Sequence, residues 1–471
     1  MKFKIAVLLV MVVFAKAAVA QDTCNCEGTL TKLIVKIESE YPGLAEKTKD
    51  SLLYSTLKTN LIAESKITKD SLCLSVLKKY TGFFKDSHIW ILPAEKKIIK
   101  KPGDPAFKIM NISNRAFKKR LATTTNKLEG IWKVDNYTIG IIETGKDEYT
   151  GFIIEADWKV WKPNEIKFKL TKGKQFEYLM QDHSLQVGSY TLYDESILYF
   201  NEIRSAFVKQ TPVVKLDSVS AIQKINEIEG FYVKKLTAKT TLIRLSNFSY
   251  GYVDRIEGLI VQNRALLEQS ENLIIDLRDN GGGTDIAYTR LLPFIMTGPV
   301  RQMGVEYLAT QTLINGLETY KNGLKDLEKY KLEIESINRN IEIFKKDLGK
   351  FVNTEEKAVT IDTIKPEQNS PKQIVILSNK KVGSAAENLL MSAKQSKKVK
   401  ILGTPSFGVL DYASARFFNF GCSNYQLLLP TYRSLRLPGY PVDNIGIQPD
   451  VYLDDTIKDW LDYAVKYLED K

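Results

Sequence analysis

A strand–turn–helix–strand pattern over residues 373–408 constrains this chain more than any other stretch. Ile374, Val375, Ile376 and Leu377 form a short, β-branched apolar run, the signature of a strand covered on both faces. Residues 379–383 interrupt it. From Ser384 onward the apolar residues Ala385, Leu389, Leu390 and Ala393 recur at helical spacing. Residues 399–402 are the next strand, and Gly408 ends the loop that follows. Two roles fit Ser384. Ser384-Ala385-Ala386-Glu387 is an S-x-x-E capping box, in which serine and glutamate satisfy orphan N–H groups at a helix start. A hydroxyl at a strand-to-helix turn is also well placed as a nucleophile, with unpaired N–H groups beside it to hold a developing oxyanion. The stretch alone favours the cap, so the rest of the chain has to decide.

The chain has 471 residues, which allows roughly three domains of about 150 residues each. With 44% hydrophobic and 26% charged residues it reads as globular and able to bury a core. Residues 1–20 read as a secretory leader. Lys2 and Lys4 precede an apolar run over 5–15, and Ala18-Val19-Ala20 is an A-x-A cleavage site. No later segment is long and apolar enough to span a membrane. The expected mature protein is therefore exported, periplasmic or extracellular. Its formal charge falls from +11 to +8 once Lys2, Lys4 and Lys16 leave. Basic and acidic residues are interspersed, which argues against a nucleic-acid partner. The cysteines Cys24, Cys26, Cys73 and Cys422 are an even set in an oxidising compartment. Cys73 joined to Cys24 or Cys26 would tie down the N-terminal arm, with the connectivity left open. Cys24-Asn25-Cys26 is too short for a metal site, and no metal or other cofactor is expected.

Residues 21–127 begin as a helical cap, with Leu30, Leu33, Ile34, Ile37 and Tyr41 on one face and similar patterns over 44–63 and 71–80. His88 follows, where a turn feeds the alternating Ile89-Trp90-Ile91. It is one of two histidines, the other being His183 in the polar turn 181–184. An imidazole base must be one of the two, and the turn placement of His183 favours a surface role. Residues 128–215 carry short alternating strands at 130–133, 137–142, 149–155, 166–170, 176–180 and 197–200, the pattern of an antiparallel barrel or sandwich. From 216 to 471 the pattern returns to alternating β and α. A strand over 272–277 runs into Arg278-Asp279-Asn280-Gly281-Gly282-Gly283, whose glycines let the backbone approach a ligand and bare its N–H groups. Residues 311–352, rich in lysine and glutamate, read as one long helix or a helical hairpin inserted into this domain.

Three motifs now stand in one order. Ile274-Ile275-Asp276-Leu277-Arg278-Asp279-Asn280-Gly281-Gly282-Gly283 resembles the D-L-R-x-N-x-G-G loop of the tail-specific (C-terminal processing) serine peptidases. Ser384-Ala385-Ala386-Glu387 resembles their S-A-[AS]-E nucleophile turn, and Gly446-Ile447-Gln448-Pro449-Asp450 their closing G-[IV]-x-P-D. The resemblance covers about 218–455, together with His88. It implies an α/β catalytic domain of sandwich type (ClpP/crotonase-like), here with an N-terminal helical cap and an inserted antiparallel β-barrel-like module. Val409 stands where the lysine of the family's Ser-Lys dyad would follow the T-x-G loop. The pattern therefore resembles the tricorn-core-like branch, which uses serine, histidine and a carboxylate.

Read this way, the resemblance makes Ser384 the nucleophile, His88 the general base and then acid, and Asp443 the carboxylate that orients His88. Ser87 assists the imidazole. The oxyanion hole falls to the N–H groups of Gly282 and Ala385, with Gly283 as the neighbouring option. The chemistry is consistent, since a serine hydroxyl needs an adjacent base and imidazole suits neutral pH. No evident PDZ domain is present in the segment between His88 and the catalytic domain. The expected function is an exported serine endopeptidase acting on protein or peptide substrates. The alternative is a non-proteolytic protein that binds hydrophobic ligands or peptides on the same fold.

Overall fold

The structure is a computed structural model that describes residues 24–94, 109–156, 161–171, 173–212, 216–324, 327–328, 330–355 and 357–470. The expected leader, 1–20, lies outside the described residues. The chain divides into two compact units, each discontinuous in sequence. One gathers the described residues up to Ala94 with Gly304–Ala358 and Asp411–Pro438. The other comprises the described residues of Glu95–Met303 with Val359–Leu410 and Gly439–Lys471.

The larger unit is built on a six-stranded sheet in simple sequence order: Phe231–Lys235 (β1), Thr240–Leu245 (β2), Asn272–Asp276 (β3), Gln373–Ser378 (β4), Val399–Gly403 (β5) and Val451–Tyr452 (β6). β1 is antiparallel to β2, and all later pairs are parallel. Parallel strands are covered on both faces, which is why their sequences are near-continuous apolar runs. Successive residues serve opposite cores. Leu273, Ile275, Ile374 and Ile376 pack with Ile256, Leu389 and Leu390 from helices Val253–Gln262 and Ala385–Ala393. Ile274, Val375 and Leu377 pack instead with Ala464 and Leu468 from helix Trp460–Glu469. The result is an α/β arrangement with helices on both faces of the sheet, in keeping with the α/β sandwich-type domain that the resemblance implies.

The same unit carries a closed eight-stranded antiparallel barrel running from Gly130–Val134 to Ser205–Thr211, whose first and last strands pair. Its interior is filled by Trp132, Ile139, Phe168, Phe176, Phe200 and Phe207, so it is packed rather than hollow. Two of its strands, Leu185–Tyr193 and Ser205–Thr211, were not among the six expected segments. Leu185–Tyr193 contains Gly188 and is mostly half-exposed or exposed, so it lacks a clean apolar alternation. Helix Asn114–Leu121 packs Phe117 and Leu121 onto the barrel residues Ile142 and Phe152. Tyr199 in the barrel donates to Glu229 Oε1 at 3.2 Å, at the end of helix Ser218–Glu229 that leads into β1.

In the smaller unit, helices Cys26–Glu40, Ser51–Ile67 and Cys73–Phe83 enclose Leu30, Leu33, Ile37, Val76, Leu77 and Tyr80. A three-stranded sheet joins Trp90–Pro93 to Tyr425–Leu429 and Arg416–Phe418. The inserted segment is the hairpin alternative: helices Gln311–Gly323 and Lys331–Lys346 close on Ile314, Ile337, Ile341 and Phe344. Thr312 bonds to Glu40 at 2.6 Å and Lys36 at 2.9 Å, which ties the hairpin to the first helix. Both cysteine pairs are disulfides, Cys26–Cys73 and Cys24–Cys422. Cys26–Cys73 spans 47 residues, so the Cys26→Ala/Cys73→Ala protein is expected to lose about 3–4 kcal/mol of stability in urea unfolding. An unchanged midpoint would show that the reduced helices keep their packing unaided.

Candidate active site

β4 ends at Ser378, and the turn that follows delivers Ser384 to the start of helix Ala385–Ala393. Ser384 has φ 52° and ψ −123°, far from the extended backbone of an ordinary N-cap. A non-glycine residue held there costs on the order of 1–3 kcal/mol, and such conformations cluster where a side chain must be presented. The turn is fixed from both sides. Gly383 N–H donates to Asn280 O at 3.0 Å, and Phe407 N–H donates to Val382 O at 2.7 Å. Ser384 is half-exposed while Val382, Gly383, Ala385 and Ala386 around it are buried.

Glu387 does more than close a capping box. Its side chain is completely buried. Oε2 accepts from the N–H of Ser384 and Val409, both at 3.0 Å. Oε1 accepts from Ser406 Oγ at 2.5 Å and Gly408 N–H at 2.7 Å. Ser406 Oγ in turn accepts from Ile447 N–H at 2.7 Å. One carboxylate thus joins the serine turn to the 404–409 loop and, through Ser406, to the closing motif. Burial pushes its pKa up, and the four donors pull against that shift. Asp450 of the closing motif is structural: Oδ2 accepts Ile401 N–H of β5 at 2.7 Å.

The glycine loop lies directly on the serine turn. A Cβ at Gly282, where φ is 93°, would sit 2.5 Å from Gly383 O, 2.7 Å from Ser384 Cβ and 2.8 Å from Ala385 N. The sequence assigned the oxyanion hole to Gly282 with Ala385. Gly282 N–H is already committed, donating to Asn280 Oδ1 at 2.9 Å. Asn280 is fully buried and also donates to Leu245 O at 3.0 Å, so it is held in place. The N–H groups of Gly283 and Ala385 make no hydrogen bond among the described residues. Gly283, with φ 145°, packs on the Phe248 backbone, where a Cβ would come within 2.3 Å of the carbonyl. Gly282→Ala is expected to reduce acylation of Ser384 by a hundredfold or more, on the scale of a lost oxyanion donor. Stopped-flow labelling checks this, and a wild-type rate would mean that the loop does not shape the turn.

Asp443 opens a turn in which Asn444 N–H donates to Gly408 O at 3.1 Å and Gly446 N–H to Val442 O at 2.8 Å. It is half-buried on the loop system that Glu387 anchors.

His88 lies in the smaller unit, in the turn before strand Trp90–Pro93. Its Nδ1 is 2.7 Å from Tyr412 O. A carbonyl can only accept, so Nδ1 carries the proton and Nε2 is the basic nitrogen. The Tyr412 carbonyl thus orients the imidazole from within the smaller unit. The His88 N–H donates to Asp86 Oδ1 at 2.8 Å, and Asp86 Oδ2 accepts from Tyr41 OH at 2.8 Å. Burial pushes the Asp86 carboxyl up, opposed by the His88 N–H and charge and by Tyr41. Of the residues that hold His88, Asp86 stands in the Asp86-Ser87-His88 context that the family resemblance includes, without an assigned role, and Tyr412 has no sequence signal. Asp86 had a signal, since an aspartate two residues before a turn residue forms an Asx-turn. Ser87 is exposed. His183 stands in the barrel turn, with its ring 4.2 Å from that of Trp161.

A serine in a strained strand-to-helix turn, close to a glycine loop with an unpaired N–H, has the chemistry suited to acyl transfer. Residues 239–453 match the model of peptidase family S41, so this part of the chain is a serine peptidase domain of the family it resembles in sequence. No curated protein sequence matches the chain. Among solved structures, mature CPAF is 12% identical, with 91% of this chain and 92% of that chain covered and a TM-score of 0.48. The photosystem II D1 C-terminal processing protease is 10% identical over 92% and 94%, with a TM-score of 0.35. The tricorn protease is 12% identical over 94% and 36%, with a TM-score of 0.42. At these scores the likenesses carry no weight for the site.

Proposed function

We propose that this serine peptidase is an exported endopeptidase that cleaves peptide bonds through an acyl-enzyme on Ser384. His88 Nε2 takes the Ser384 proton as Oγ attacks the substrate carbonyl. The N–H groups of Gly283 and Ala385 receive the oxyanion of the tetrahedral intermediate. His88 then gives its proton to the leaving amine, and water repeats the sequence to release the acid. The Tyr412 carbonyl keeps the imidazole oriented and accepts from its Nδ1–H throughout. Asp443 contributes as a negative charge that favours the imidazolium, and Ser87 as a neighbouring hydroxyl. Export to the periplasm or the extracellular space rests on the leader pattern over 1–20 and agrees with two disulfides in the chain.

The observation that carries this reading is the Ser384 backbone, whose φ of 52° is not needed for the helix cap it also forms and suits a presented nucleophile. The test is cleavage of unfolded casein by the chain without residues 1–20. Wild type should give fragments by gel and mass spectrometry, and Ser384→Ala and His88→Ala should give none. Fragments of wild-type pattern from Ser384→Ala would overturn the mechanism.

A further inference from the structure

One end of the barrel carries chemistry that peptide hydrolysis does not use. Lys167, on strand Ile166–Thr171, is almost completely buried. Its Nζ sits 4.1 Å from the ring centroid of Trp161, 4.7 Å from that of Tyr178 and 4.8 Å from that of Tyr137. Among the described residues this ammonium makes no hydrogen bond and no ion pair. A cavity of about 420 Å³ opens beside it, lined also by Tyr137, Tyr178, Met180 and Gln181 and by Asp135 and Asn136 of a hairpin turn. Barrel mouths are a common place for ligand sites, and this volume is in the range of small-molecule pockets.

We propose that this mouth binds an amphipathic monocarboxylate, its apolar body against Tyr137, Tyr178 and Met180 and its carboxylate on Lys167. Three aromatic faces attract a buried ammonium without replacing the anion that burial normally demands. Burial pushes the Lys167 amine down to about 7, and only the Asp182 carboxylate pulls it back. A bound carboxylate supplies the missing partner. The surrounding charge limits the ligand to one negative charge, because Asp135 lines the cavity and Asp182 acts on Lys167. Phosphates and dicarboxylates would meet repulsion there. The phenol of Tyr178, held neutral by burial, is an available donor to a second carboxylate oxygen. Two sources share this chemistry: a free small acid and the C-terminal carboxylate of a peptide ending in an apolar residue.

The test uses Ser384→Ala protein, so that no peptide is consumed and the outcome is independent of the proteolytic reading. Calorimetric titration at pH 6 compares 3-phenylpropionate, the uncharged 3-phenylpropan-1-ol, and a phenylalanine-ended octapeptide with a free or amidated terminus. The acid should bind at least about tenfold more tightly than the alcohol, the scale of one charge-assisted hydrogen bond. Adding Lys167→Met should lower acid affinity about tenfold or more and leave the alcohol unchanged. Binding of the free-ended but not the amidated peptide assigns the site to chain ends, and binding of the acid alone assigns it to free acids. Should the variant fail to fold, 3-phenylpropionate should still protect Lys167 from acetic anhydride, read by mass spectrometry. No saturable binding, acid affinity unchanged by Lys167→Met, or unprotected Lys167 would overturn the proposal.

Discussion

Replacing His88 with alanine is expected to lower kcat/KM on a peptide substrate by about ten-thousand-fold while the protein stays folded. Serine hydroxyl is a weak nucleophile near neutrality and depends on a base for its proton. With valine at position 409 there is no dyad lysine to replace the imidazole. The alternative base, His183, belongs to a barrel turn, so His183→Ala should leave the rate unchanged. Asp443→Asn separates orientation from charge. If Tyr412 O holds Nδ1, as its 2.7 Å distance indicates, losing the Asp443 charge should cost only about tenfold. A loss as large as that of His88→Ala would restore the carboxylate as the orienting partner. Steady-state kinetics of the three variants, with circular dichroism to confirm folding, decide among these outcomes.

Glu387→Ala is expected to destabilise the protein by about 3–5 kcal/mol, the scale of removing one member of a buried charged network. Four donors, the N–H groups of Ser384, Gly408 and Val409 and the hydroxyl of Ser406, converge on this carboxylate. Alanine would leave all four without an acceptor, three of them buried, and each buried group costs about 1–3 kcal/mol unless water enters. Acylation of Ser384 should fall with stability, because the same carboxylate fixes the N–H of the strained residue. Glu387→Gln is the informative contrast. Its amide keeps one acceptor oxygen and turns two donors toward N–H or O–H groups, so its loss should be intermediate. Urea unfolding measures both variants. A Glu387→Ala protein as stable as wild type would mean that the 404–409 loop is held by other contacts.

The larger unit was legible because its signals are local. Four of the six sheet strands are apolar runs that appear directly in the sequence, and the barrel announced itself through alternation and turns. The smaller unit was not legible as a unit. Its strands 90–93 and 425–429 pair across more than three hundred residues, and no local pattern encodes such a partner. The same limit applied at the site. Ser384, Gly283, Ala385 and His88 could be named from motifs, whereas the Tyr412 carbonyl beside His88 belongs to a backbone that any residue type could supply. Gly282 shows a subtler limit. Glycine permits the loop conformation, but the side chain two positions earlier, Asn280, turns back and occupies its N–H. Glu387 was read from one capping contact, while its other three donors come from a loop about twenty residues away.

The central claim is that Ser384 is the nucleophile, and covalent labelling tests it most directly. A fluorophosphonate probe forms a phosphonyl ester only with a serine that a neighbouring base activates. Tryptic peptides of the labelled wild-type protein should carry the adduct on Ser384, Ser384→Ala should show none, and His88→Ala should label at least a thousandfold more slowly. An adduct on another serine, or labelling that survives in Ser384→Ala, would contradict the account.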